Sequence, residues 1–310
     1  MKSRWSDSVG YALIILAACF WGASASLGKN MMQRGLSAVM LMETRSVLSF
    51  LALLPPLVIL GPRHFKIRWS DLPGFFLLAI PGLALVNISY YYAVKVLPVA
   101  IAVFIQFTAP VLIFVYGVLS KRERSNRYKI AALLLSITGT YFMVHIEKGA
   151  METLPLLGIL SAVVSMLSYA FYVIISHRLG QKHSSWTMIL YGYGIASVFW
   201  CLVQSVPATF HALTNLHLWK ESLLFSLFST LIPFSLFLTG LRRVTPTGGA
   251  IASTMETVAA SLFALVFLGE RLSWYQVLGG ALILSALIIL ILQKAREEEI
   301  PAELPTSLTV

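Results

Sequence analysis

Ten runs of roughly twenty apolar residues follow one another along this chain, at 9–28, 36–60, 72–94, 97–119, 129–146, 154–177, 186–207, 222–241, 245–268 and 272–293. A helix needs roughly 20 apolar residues to cross a hydrocarbon layer about 30 Å thick. Backbone polar groups in lipid have to be satisfied within the segment, so runs of this kind cross as helices. The expectation is an all-α integral membrane protein with about ten transmembrane helices. Composition agrees: only 12% of the 310 residues are charged, against about 25% in soluble domains. So little charge cannot cover a soluble surface of this size.

The first run resembles a secretory leader, with Lys2 and Arg4 before it and Ala23-Ser24-Ala25 near its end. Its apolar stretch is longer than a leader's core, so it is read as the first membrane helix. Trp5, Trp69, Trp186, Trp219 and Trp274 stand near run ends, where indoles favour the interface.

The net charge of +10 could point to nucleic acid, but the basic residues are dispersed in short clusters between apolar runs. That is the pattern of cytoplasmic loops, and no nucleic-acid partner is expected. With the N-terminus inside, 16 Lys and Arg residues fall on the inner side and 6 on the outer, leaving Arg45 within a helix. Both termini are therefore expected in the cytoplasm, in a plasma membrane of the bacterial inner-membrane kind. Cys19 and Cys201 both lie in apolar runs, which excludes a disulfide framework. No metal-ligand spacing is present, and no cofactor is expected.

The two halves resemble each other. Pro98, Val103-Phe104-Ile105-Gln106-Phe107-Thr108-Ala109-Pro110 and Lys121-Arg122-Glu123-Arg124 in the first are echoed by Pro246, Ser253-Thr254-Met255-Glu256-Thr257 and Gly269-Glu270-Arg271 in the second. Five helices per half is an odd number, so the second half inserts upside down. The boundaries are read as 1–148 for the first five-helix repeat, 149–293 for the second, and 294–310 for a disordered cytoplasmic tail. Inverted repeats suit alternating access around a site between them.

Phe20-Trp21-Gly22, Arg45, Pro110-Val111, Glu123-Arg124, Tyr169-Ala170, Tyr172, Glu256 and Leu268-Gly269-Glu270-Arg271-Leu272-Ser273 together resemble the EamA domain of the drug/metabolite transporter superfamily. The resemblance covers both halves, roughly residues 10–292. It implies helices one to four and six to nine around a central cavity, with five and ten peripheral. It also implies export of amino acids, related metabolites or drugs. The chain departs at Thr257, where many relatives carry proline, which leaves the local shape of the ninth helix open. Lys121-Arg122 replaces a commoner Leu-Gly and reads as a topological signal.

Ionisable groups within a membrane are costly and are functional candidates by default. Glu256 lies roughly 16 Å along its run and Arg45 roughly 13 Å, both near the middle of the layer. They are read as a polar pair binding opposite ends of a substrate, with Glu256 also a candidate for proton coupling. The alternative is a structural ion pair. Glu43, two residues from Arg45, faces another side and suits a vestibule or a cap. Asn87 with Tyr91, Tyr169 with Tyr172, Gln106, and Trp21 complete the candidate substrate site; each could instead serve helix packing. Pro81, Pro110 and Pro233 lie inside runs and are candidate bending points. Small residues Ala132, Ser136 and Gly139 in the fifth run and Gly279, Gly280 and Ser285 in the tenth permit close packing, either within the chain or in a homodimer.

The leading reading is a secondary transporter exporting small metabolites such as amino acids, with the lipid bilayer and a small-molecule substrate as its partners. There is no P-loop for nucleotide-driven pumping. The alternatives are a membrane-embedded enzyme, a channel or a non-transporting scaffold. No His-Glu-x-x-His or Gly-x-Ser-x-Gly motif supports an enzyme, and the six histidines are scattered.

Overall fold

The computed structural model describes residues 5–33, 37–144, 154–204, 216–268 and 271–299. Regular structure among them is entirely helical. The rods are α1 (Trp5–Gln33), α2 (Ala38–Leu60), α3 (Trp69–Val96), α4 (Val99–Leu119), α5 (Arg127–Val144), α6 (Leu156–Gly180), α7 (Ser185–Val203), α8 (Trp219–Leu241), α9 (Pro246–Phe267) and α10 (Trp274–Glu299). Eight of them, all but α1 and α5, contain spans long and apolar enough to cross a membrane; α1 contains the shorter apolar helix Ser8–Ser24.

Several starts are set by local chemistry. Ser37 accepts from Met40 N at 3.1 Å, Ser184 from Thr187 N at 3.2 Å and Thr245 from Gly248 N at 3.2 Å, each capping a first turn. Pro246 occupies the first position of α9, where a missing N–H costs nothing. The tail differs from the sequence expectation, because α10 runs on to Glu299. Its last residues, Lys294-Ala295-Arg296-Glu297-Glu298-Glu299, are strong helix formers with no proline before Pro301, so the helix has no reason to stop at 293. Residues 300–310 lie outside the described residues.

The packing is two-fold. α1 lies on α8 and α9, and α6 makes the equivalent contacts with α3 and α4; α2 pairs with α7, α4 with α9 and α5 with α10. Gly10, near the start of α1, abuts Gly240 and Val244 at the end of α8, while Gly180, at the end of α6, abuts Arg242. The start of α1 and the end of α6 therefore share one end of the bundle, and the first helices of the two halves run in opposite directions. We call this the basic end, after Arg242 and Arg243. The start of α6, at Gly158, instead meets Val96 and Leu97 at the opposite end.

α5 and α10 stand together at the side. Gly139 and Gly279 bring their backbones so close that a Cβ on Gly139 would sit 2.8 Å from the Gly279 carbonyl. Ala132 and Ser136 are fully buried on the same side of α5. These small residues serve the contact within the chain.

Four rods are interrupted near mid-depth. α3 widens into a π-helical turn at Leu78–Ala84, which contains Pro81, and α8 at Leu227–Leu231, just before Pro233. Proline cannot donate to the carbonyl four residues back, and a wide turn absorbs the mismatch. α4 breaks at Phe107–Thr108 just before Pro110. α9 breaks at Thr254 with no proline at all. There Thr254 N bonds Ile251 O at 3.1 Å, and the Thr254 hydroxyl caps the same carbonyl at 2.7 Å. Thr108 does the same to Ile105, at 3.1 and 2.6 Å. Thr257 then bonds Thr254 O through both its N–H and its hydroxyl, at 3.1 and 2.8 Å. Threonine hydroxyls that compete for backbone carbonyls thus break the ninth helix where proline is missing.

Candidate functional site

The interruptions surround a central cavity of about 310 Å³. Eight of the nine candidate binding residues line it: Trp21 from α1, Arg45 from α2, Asn87 and Tyr91 from α3, Gln106 from α4, Tyr169 and Tyr172 from α6, and Glu256 from α9. Its wall also includes Val99, Val103 and Ala260, which place it in the half of the bundle away from the basic end.

Glu256 stands in the first turn of the half-helix Met255–Leu268, directly after the Thr254 break. It is partly exposed to the cavity. Among the described residues no cation forms an ion pair with it, and its neighbours are the phenols of Tyr90, Tyr91 and Tyr169. Arg45 is 8% exposed and lies beside the hydroxyls of Tyr91 and Tyr193. The two charges face one cavity without neutralising each other directly, so the structural ion pair considered from the sequence is not formed here.

Gly22 explains part of the Phe20-Trp21-Gly22 motif. A Cβ at this position would lie 2.6 Å from Ala260 N and 2.8 Å from the Glu256 carbonyl. α1 therefore touches the backbone of α9 beside the site, and only glycine allows the approach. Gly22→Val should push α9 outward and cost about 1–3 kcal/mol. A thermal-denaturation midpoint in detergent equal to that of the parent protein would show that the contact is not tight.

The cavity is closed on the side of the basic end. Tyr169 of α6 and Ser253 of α9, both in the second repeat, share a hydrogen bond of 2.7 Å. The Tyr172 ring stacks on Phe237 at 6.0 Å, and Trp21 packs edge-on against Phe234 at 5.0 Å. Further toward the basic end, the Glu123 carboxylate accepts from Thr247 N at 3.1 Å, and the Thr187 hydroxyl donates to the His64 carbonyl at 3.2 Å. Asp71 faces His183 at 3.2 Å. All three contacts join the two halves of the chain.

Asn87 donates to the Leu83 carbonyl of its own helix at 2.5 Å, which fixes the amide at the cavity wall. Glu43 does not line the cavity. It is 1% exposed and turns toward α7, where Cys201 Sγ approaches its carboxylate at 3.8 Å. Tyr90, Ser24 and Ser229 also line the cavity but were not binding candidates from the sequence, and Thr257, noted there only for the missing proline, lines it too. Tyr90 was within reach, since it lies three residues from Asn87 and so shares its face. Tyr193 had no local signal, because Arg45, the charge beside it, comes from the other half. Among the described residues no group of three His, Cys, Asp or Glu could hold a metal.

Comparison with known proteins gives a consistent answer. The model of the EamA-like transporter family matches residues 8–145 and again 156–292. An "uncharacterized transporter" of Archaeoglobus fulgidus is 30% identical over 90% of this chain and 95% of its own length. The threonine/homoserine exporter RhtA of Salmonella typhimurium is 28% identical, over 73% of this chain and 72% of its own. The inner membrane transporter YicL of the same organism is 22% identical over 94% and 98%. One crystal structure shares the fold with a TM-score of 0.74 at 19% identity, covering 94% of this chain and 98% of that one.

Proposed function

Because the chain belongs to the EamA-like transporter family, we propose that this membrane transporter exports small zwitterionic metabolites, amino acids among them, by alternating access between its two repeats. One observation carries the reading: Arg45 and Glu256 come from opposite repeats, face the same cavity and leave each other unpaired. A guanidinium fork suits a carboxylate and a carboxylate suits an ammonium. Tyr91, Tyr169 and Tyr172 hold the apolar part. The cavity of about 310 Å³ is at the small end of the range of ligand pockets, about 300–1,000 Å³. RhtA relatives, named as threonine/homoserine exporters, support both the solute class and the direction.

All ten helices span the bilayer in this reading, α1 and α5 included, and the basic end is cytoplasmic by its Lys and Arg excess. The cavity then faces outward, with residues 1–148 and 149–293 as the units that rock. Glu256 exchanges protons and couples export to their gradient. The YicL relative, named as an inner membrane transporter, supports the bacterial inner membrane.

Topology has its own test. Reporters fused after Lys294 and inserted in the loop Arg124–Arg127 are both expected to read cytoplasm. An external signal from either would overturn the orientation. The solute class is tested by comparing amino acids released from expressing and non-expressing cells. Selective release of one or a few zwitterions is expected, and an unchanged profile across all amino acids would count against it.

A further inference from the structure

A second cavity of about 300 Å³ lies at the basic end and shares no lining residue with the central one. It is built by both repeats. Arg122 and Lys129 come from the first, and Arg242 and Arg243 from the second; all four line the cavity together with a single carboxylate, Glu123. That carboxylate is already engaged, accepting from Thr247 N at 3.1 Å and facing Lys129 Nζ at 3.3 Å. Arg242 Nε donates to the Gly180 carbonyl at 2.6 Å, which fixes the guanidinium and leaves its remaining donors available. Arg122 and Arg243 are exposed and have no ion-pair partner among the described residues. Loop cations that only mark topology can spread into water. Here they converge on one concavity and leave an excess of positive charge in it.

We propose that this cavity binds a phosphate-bearing anion that bridges the two repeats. Phosphoryl oxygens match guanidinium forks bidentately. The cavity lies at the ends of α4, α8 and α10 and the starts of α5 and α9, which in the topology proposed above is the depth of a bilayer headgroup. Basic pockets between membrane helices at this level suit phospholipid headgroups, and a phosphorylated solute offers the same chemistry. An anion held by both repeats keeps the basic end together.

The test uses the purified full chain in detergent with two probes, phosphatidylglycerol against phosphatidylcholine by native mass spectrometry, and inorganic pyrophosphate by calorimetry. Phosphatidylglycerol is expected to bind in preference to phosphatidylcholine. The double variant Arg122→Gln/Arg243→Gln should weaken the bound probe by about tenfold or more, one or two charge-assisted bonds being lost. Both side chains are exposed, so an unchanged denaturation midpoint is expected. Binding of the lipid alone assigns the site to a headgroup; pyrophosphate binding that displaces the lipid assigns it to the phosphate chemistry shared by both sources. The control Lys121→Gln/Arg124→Gln removes two cations from the same loop that do not line the cavity, and it should leave binding unchanged. Equal loss in the control, no loss in the double variant, or no binding of either probe by the unmutated protein would each overturn the proposal.

Discussion

Glu256→Gln is expected to abolish accumulation driven by a proton gradient while sparing passive exchange of the solute. The physical reason is the position of the carboxylate. It stands near the middle of α9 beside a helix break, partly exposed to a small cavity, with phenols near it and, among the described residues, no cation paired with it. A bare carboxylate at such depth costs several kcal/mol, and either a proton or the ammonium of a solute can offset that cost. Competition between the two couples their movements. Glutamine keeps the shape and the hydrogen bonding but cannot release a proton. Transport that still follows the gradient in this variant, measured as uptake or efflux in vesicles with an imposed pH difference, would remove the proton role and leave Glu256 as a substrate contact or a structural group.

Arg45→Lys should weaken substrate binding by about tenfold to a hundredfold, as expected when a charge-assisted bond of roughly 1.5–3 kcal/mol is lost, with normal insertion and folding. Lysine retains the charge but presents a point where arginine presents a planar fork. The guanidinium lies beside the hydroxyls of Tyr91 and Tyr193, and an ammonium on a flexible stem does not reproduce the planar fork there. If the Arg45 fork reads a carboxylate, amides and esters of the solute should bind the parent protein as weakly as the acid binds Arg45→Lys. A structural arginine would leave the two affinities of the parent protein equal.

The helices were legible because length is a one-dimensional signal. A run of twenty apolar residues has few other uses, and all ten runs coincide with helical rods. Repetition was legible at Pro98/Pro246 and at Glu123/Glu270 for the same reason. The face of the cavity was partly legible: an ionisable residue in lipid flags itself, and so do Asn87 and Tyr91 at helical spacing. Glu43 was flagged by the same rule, but two residues turn a helix by about 200°, and that rotation sends it to α7 while Arg45 faces the cavity. The break in α9 was not legible as proline, since threonine hydroxyls make it. Ser253 meets Tyr169 of another helix, and Tyr193 lies beside Arg45 of another, and no local pattern encodes such neighbours. The wide turn of α8 lies before Pro233, so the proline marked the region and not its shape.

The central claim is a saturable carrier whose site lies between Arg45 and Glu256. Counterflow in proteoliposomes tests it most directly, with a panel of labelled zwitterionic amino acids including threonine and homoserine outside and excess unlabelled solute inside. The account predicts transient accumulation of at least one label, saturating with concentration, lost in Arg45→Lys at the same solute level, and not reproduced by the amide of that solute. Linear flux without counterflow would indicate a channel, and no flux of any zwitterion, or equal counterflow of acid and amide, would contradict the account.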